Sequence, residues 1–188
     1  MKTIIKILVF FVTIISYSQE IVPIENKIDH IDLSRENKVY YKDVNGVFNK
    51  FIGTWKHQVT NELFEITFRK VEKYVGGNYD SDRLVGRFKF VKNGEVIYDT
   101  TAMLQSADAY PDHKIFGGTI TSDNLNRLEL EYNEPGIILK GSFLQQLYLT
   151  YDPSTQQLDW FVRAPLIGPN NDIYPYKIPF HMILTKVN

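Results

Sequence analysis

A chain of 188 residues with no cysteine and with 21 basic against 22 acidic residues excludes several classes of protein at once. It has no disulfide scaffold, no thiol nucleophile and no cysteine-held zinc site, so its fold rests on core packing. Its near-neutral charge offers no basic surface to nucleic acid or to an anionic membrane.

The N-terminus opens with Lys2 and Lys6, continues with an apolar run from Ile7 to Ile15, and places Ser16 and Ser18 at −3 and −1 of a cut before Gln19. A positive start, a short apolar middle and a small-residue exit make a secretory signal peptide. The run is shorter than the roughly 20 residues of a spanning helix. The expectation is a cleaved leader over 1–18 and a bacterial-type secreted or periplasmic protein. With no cysteine at the cut it is not a lipoprotein, and no later stretch forms an integral membrane segment. Residues 19–188 carry a net charge of −3 and are long enough for one domain with a sizeable core.

Residues 19–50 read as an N-terminal arm. Ile21, Val22, Ile24, Ile28, Ile31 and Leu33 are interleaved with charges, which predicts an extended segment lying on the domain or a short amphipathic helix near residues 28–36. Asn45-Gly46 before Val47, Phe48 and Phe51 predicts a turn and one helical turn. Residues 51–188 are then β throughout. Residues 51–59 form a first strand. Phe64, Ile66 and Phe68 alternate with Glu65, Thr67 and Arg69, the period of a half-buried strand. Gly76 to Asp82 reads as a long polar turn. Leu84, Phe88 and Phe90 face one way in the next strand, and Asn93-Gly94 marks a tight hairpin. Residues 99–114 read as a polar loop, and Gly117-Gly118 marks a bulge or close backbone approach in a strand over 115–121. Leu128, Leu130 and Tyr132 alternate inward, Glu134-Pro135-Gly136 turns the chain, and strands follow over 143–151 and 157–163. Residues 165–179 hold four prolines with Tyr174 and Tyr176, and 180–187 form a last strand.

Eight to ten antiparallel strands joined mostly by short turns predict an all-β up-and-down meander closed into a barrel, which removes exposed sheet edges. A two-sheet β-sandwich satisfies the same strand pattern.

At the first strand Gly53-Thr54-Trp55 resembles the G-x-W signature that opens lipocalins and fatty-acid-binding proteins. The resemblance implies a calycin-type barrel with Gly53 and Trp55 at a closed base. It also implies a late cation packed over the Trp55 ring, Arg163 or alternatively Lys186. The overall layout of leader, polar arm, G-T-W, hairpins, Pro-rich loop and terminal strand is similar to a family of small secreted bacterial proteins of unassigned function.

Little chemistry stands out. His30, His57, His113 and His181 have no metal-ligand spacing. Asp108, Asp112 and His113 share a loop that is either a cation site or an ordinary turn. No nucleophile elbow or phosphate loop is present, so the chain reads as a non-enzyme without a cofactor. In a lipocalin-like barrel, Phe64, Phe68, Phe88 and Phe90 line or fill the interior. Tyr174 and Tyr176 cap one mouth, in the kind of long loop that is uncommon unless functional. Three functions remain open. The first is binding of a small apolar molecule. The second is a non-catalytic module recognising an envelope protein. The third and weakest is a hydrolase.

Overall fold

The structure, a computed structural model, describes residues 19–30, 38–102, 114–137, 145–163 and 175–187. The leader, the Asp108–His113 group and Tyr174 fall outside these residues. Among those described, the chain forms β1 (Ile21–Pro23), a 3-10 turn (Ile24–Asn26), β2 (Val39–Lys42), β3 (Gly53–Val59), β4 (Glu62–Val75), β5 (Tyr79–Lys92) and β6 (Glu95–Asp99). It continues through β7 (Ile115–Thr121), β8 (Asn124–Tyr132), β9 (Gln145–Asp152), β10 (Gln157–Arg163) and β11 (His181–Lys186).

Eight of these strands close into a ring in the order β3, β4, β5, β7, β8, β9, β10, β11 and back to β3, every neighbour antiparallel. The expected closed barrel is therefore present, and the sandwich is not. Two joints in the ring are short. Strand β5 meets β7 only at Leu84–Gly86. Strand β11 meets β3 at Thr185 and Lys186, with a further bond from Val187 N–H to the Thr54 carbonyl.

Beyond the ring, β5 uses its free edge twice more. Its end at Lys89–Lys92 forms the Asn93-Gly94 hairpin with β6, where Asn93 and Gly94 have φ of 53° and 82°, as a primed turn requires. Its start at Tyr79–Ser81 pairs with β2, which is parallel to it, as β1 is to β2. The arm is thus part of the sheet, through two parallel pairings that the antiparallel expectation lacked.

The expected long polar turn at 76–82 is corrected to three residues, 76–78, because Asp80, Ser81 and Asp82 are buried inside β5. Partners supplied by distant segments make that burial affordable. Asp82 accepts from the Tyr40 hydroxyl at 2.5 Å, from Asp43 N–H at 2.9 Å and from Lys73 N–H at 2.9 Å. Asp80 accepts from Gln19 at 2.9 Å and pairs with Lys38 at 3.1 Å. Burial pulls the Asp80 carboxyl up, but Gln19 and Lys38 outweigh it and hold it below its ordinary value.

The alternating residues of the ring fill its interior in one apolar cluster with Trp55, Trp160 and the arm residues Ile24, Val39 and Tyr41. At one end, successive turns over 46–51 drive Val47, Phe48 and Phe51 into the ring as a plug. Gly118 makes room for it. Its φ is +141°, and a Cβ there would sit 2.9 Å from the Phe48 ring.

Candidate binding site at the end of the barrel opposite the plug

The two ends of the barrel differ in chemistry. Trp55 lies at the plugged end, fully buried, and donates its Nε1–H to the Phe51 carbonyl at 2.9 Å. The cation over its ring is Lys186, with Nζ 5.3 Å from the centroid. Gly53 (φ +120°) allows this, because the Lys186 stem passes where a Cβ would stand, 3.1 Å away. Arg163 does not fill the expected role. It ends β10 opposite Gln146, whereas Trp55 lies opposite Lys186 at the far end of β11. Strand direction therefore places Arg163 at the other end of the barrel.

That other end is where β8 stops, β9 starts, β10 stops and β11 starts. Tyr132 faces Gln145 across β8 and β9, and Val162 N–H binds the Phe180 carbonyl at 2.7 Å. An aromatic floor closes the lumen just below. Phe64 lies 5.5 Å from Phe88, 6.3 Å from Phe90 and 5.0 Å from Trp160, ring centre to ring centre. Tyr132 stands edge-on to Trp160 at 5.6 Å.

Above this floor sits Glu134, a carboxylate only 2 % exposed. One oxygen accepts from the backbone N–H of Lys177 at 2.6 Å and of Ile178 at 3.3 Å. The other accepts from the Tyr132 hydroxyl at 3.2 Å, and the Tyr98 hydroxyl also bonds the carboxylate. Burial raises the Glu134 carboxyl above its ordinary value although all four donors pull it down. Burial, reinforced by the neighbouring Glu134 charge, raises the Tyr98 phenol to about 12 and lifts the Tyr132 phenol well above its ordinary value. Both phenols therefore stay protonated near neutrality and can only donate to Glu134. The carboxylate thus fastens residues 177–178, the approach to β11, onto the end of β8.

Among the described residues, Trp160 Nε1 and Gln145 Nε2 at this end are donors without a hydrogen-bond partner. Both side chains are nearly or fully inaccessible. The Gln145 oxygen is already used, accepting Glu134 N–H at 3.1 Å. Orphaned buried donors are rare enough to need an explanation.

Of the residues expected to contact a ligand, Phe64, Phe88 and Phe90 come together in the floor, while Phe68 lies deeper, opposite Gly53 and Gly86. Tyr176 packs edge-on against Phe180 at 5.1 Å. Sequence reasoning missed Glu134, which reads as the first residue of a Pro-Gly turn, and it missed Gln145 and Tyr98. The role of Glu134 depends on contacts 43 and 44 residues away in the chain, and those of Gln145 and Tyr98 on their bonds to Glu134, which no local pattern announces.

The histidines that are described serve locally. His57 Nδ1 lies 3.0 Å from the Ile183 carbonyl, and His181 pairs with Asp159 at 2.8 Å. Among the described residues, no three His, Asp or Glu converge as a metal-holding group. An outer groove of about 260 Å³ beside the β5–β7 joint mixes Lys27 and Arg83 with Glu129 and Glu131, so it has no single charge preference.

The molecule is a closed eight-stranded antiparallel β-barrel, an architecture consistent with a lipocalin-like barrel. Residues 1–140 match a family of unknown function (DUF6705), and the chain belongs to that family. No curated protein and no solved structure matches it.

Proposed function

We propose that the protein is an exported, non-catalytic binding barrel that takes a small, mainly apolar molecule at the end opposite the plug. The observation that supports this is the asymmetry of the two ends. One is sealed by Val47, Phe48, Phe51 and Trp55; the other sets an aromatic floor beneath buried polar groups with unused donors. Apolar walls with a few placed polar groups are what small-molecule sites generally use. Because Phe64, Phe88, Phe90 and Trp160 occupy the middle of the lumen, the ligand rests on that floor and does not run the length of the barrel. The leader pattern over 1–18 is the basis for export.

A second reading, docking of an envelope protein, draws on the outer wall. Phe161 stacks on Tyr148 there at 6.2 Å, and Phe161 and Ile183 are 47 % and 41 % exposed. Native mass spectrometry of gently purified protein beside a denatured control separates the two readings. A reproducible extra mass released on denaturation is expected. A bare mass, with no uptake from a panel of apolar compounds, would discard the binding barrel in favour of the outer wall.

A further inference from the structure

We infer that the ligand is electrically neutral and presents a carbonyl oxygen to Trp160 Nε1 and Gln145 Nε2. This rests on the binding reading above and narrows it to a chemical class. The unsatisfied atoms are both donors. An indole nitrogen can only donate, and the remaining capacity of Gln145 is its amine, since its oxygen already serves Glu134 N–H. Both side chains flank Tyr132, Gln145 directly across the β8–β9 ladder and Trp160 through ring contact. One sp² oxygen has two lone pairs and can accept from both.

Charge removes the neighbouring classes of ligand. Among the described residues, none of the fully buried side chains at this end is basic. Lys177 and Arg163, the cations described at this end, are exposed, with Lys177 Nζ 5.7 Å above the Tyr98 ring and Arg163 ending β10. A carboxylate head would thus enter beside Glu134 without a counter-charge in the lumen. A cationic head would find that carboxylate already engaged by four donors. A neutral ketone, ester or amide on an apolar body meets neither obstacle, and its hydrocarbon part lies on Phe64, Phe88 and Phe90.

The chain holds two tryptophans, and they make the test internally controlled. Trp55 Nε1 is bonded to the Phe51 carbonyl; Trp160 Nε1 has no partner among the described residues. Nitrogen-15 indole labelling therefore gives two N–H signals, one of them a reference. The probes are a long-chain methyl ketone, the matching methyl ester, the fatty acid of the same length and the plain alkane. The ketone and ester are expected to move the Trp160 signal downfield, leave Trp55 in place, and bind at least roughly tenfold more tightly than acid or alkane, the value of about one hydrogen bond. Trp160→Phe keeps an aromatic side chain but removes the donor together with the five-membered ring, so it should lower ketone affinity by roughly tenfold more than it lowers alkane affinity. If the fatty acid binds as tightly as the ketone, or if Trp160 stays still while the ketone binds, the neutral-carbonyl inference fails and the binding barrel survives. If no probe binds and the native mass is bare, both fail.

Discussion

Replacing Glu134 with alanine tests the polar cluster at the end opposite the plug. The substitution removes the acceptor of four donors. Two of them, the Tyr98 hydroxyl and Lys177 N–H, belong to residues with solvent access, whereas the Tyr132 hydroxyl and Ile178 N–H belong to buried ones. Stranding two buried donors at about 1–3 kcal/mol each gives a gross loss of about 2–6 kcal/mol. Removing a buried charge returns part of that, so the expected net destabilisation is about 2–4 kcal/mol. The penalty also depends on pH. Because burial holds the Glu134 carboxyl above its ordinary 4.5, the folded protein binds this proton more tightly than the unfolded chain does. Its contribution is then fully present below about 4.5 and is lost as the pH rises through the raised value. Alanine has no proton to bind, so the penalty should grow as the pH is lowered from about 7.5 to about 5. Urea unfolding followed by tryptophan fluorescence across that range reads both quantities. Combining the change with Tyr132→Phe should cost about 1 kcal/mol less than the two separate losses, because one stranded hydroxyl disappears. A loss below about 0.5 kcal/mol, or a penalty that shrinks on acidification, would refute the assignment of Glu134 as the buried fastening of residues 177–178.

Three further outcomes are expected. Asp82→Asn leaves one acceptor oxygen for Tyr40, Asp43 and Lys73, so it should cost about 2–4 kcal/mol. Hydrogen exchange should then quicken over residues 39–42 while amides of β9 hold, and uniform exchange across both would contradict the account. Phe64→Ala opens a hole at the centre of the aromatic floor and should cost about 3–5 kcal/mol in denaturant unfolding; a loss under about 1 kcal/mol would mean that the floor is loosely packed. Lys186→Met, which removes an exposed cation from the Trp55 ring, should cost no more than about 1 kcal/mol, whereas Arg163→Met should leave the Trp55 fluorescence spectrum unchanged.

The readable parts of this fold are those where a local pattern and the tertiary structure agree. Phe64, Ile66 and Phe68 alternate because one face of β4 is lumen and the other is water, and that period appears directly in the chain. Asn93-Gly94 likewise encodes its own turn. Asp80-Ser81-Asp82 misleads for the opposite reason. Such residues favour turns when solvated, and only the donors brought by Gln19, Lys38, Tyr40, Asp43 and Lys73 turn them into strand. The parallel pairing of β2 was hidden because its partner segment, Tyr79–Ser81, lies far along the chain and carries the residues of a turn. At the end opposite the plug, the apolar floor was visible as a set of inward phenylalanines, but the polar groups above it were not. Glu134 follows β8, Gln145 opens β9 and Tyr98 lies in β6, and nothing in their immediate neighbours marks them as one cluster. The choice between Arg163 and Lys186 turned on which end of a strand each occupies, which a composition of cations and aromatics does not reveal.

The two short joints divide the ring mechanically. Strands β3 to β5 form one curved plate and β7 to β11 another, and the plates meet along lines only three and two register pairs long. Each line has its own clasp. The turns before β3 reach across to β7 through Phe48 and Gly118. On the opposite side, His57 and Thr185 bond across to the backbone of the facing plate. Parting along either line is a rigid-body displacement of a few bonds that leaves the ladders inside each plate intact. Parting would also pull apart the shared core, since Phe64 of one plate lies 5.0 Å from Trp160 of the other, ring centre to ring centre, so it costs far more than the few bonds of the joint. The two lines are thus seams that the shared core and the plug, more than the backbone ladder, hold closed.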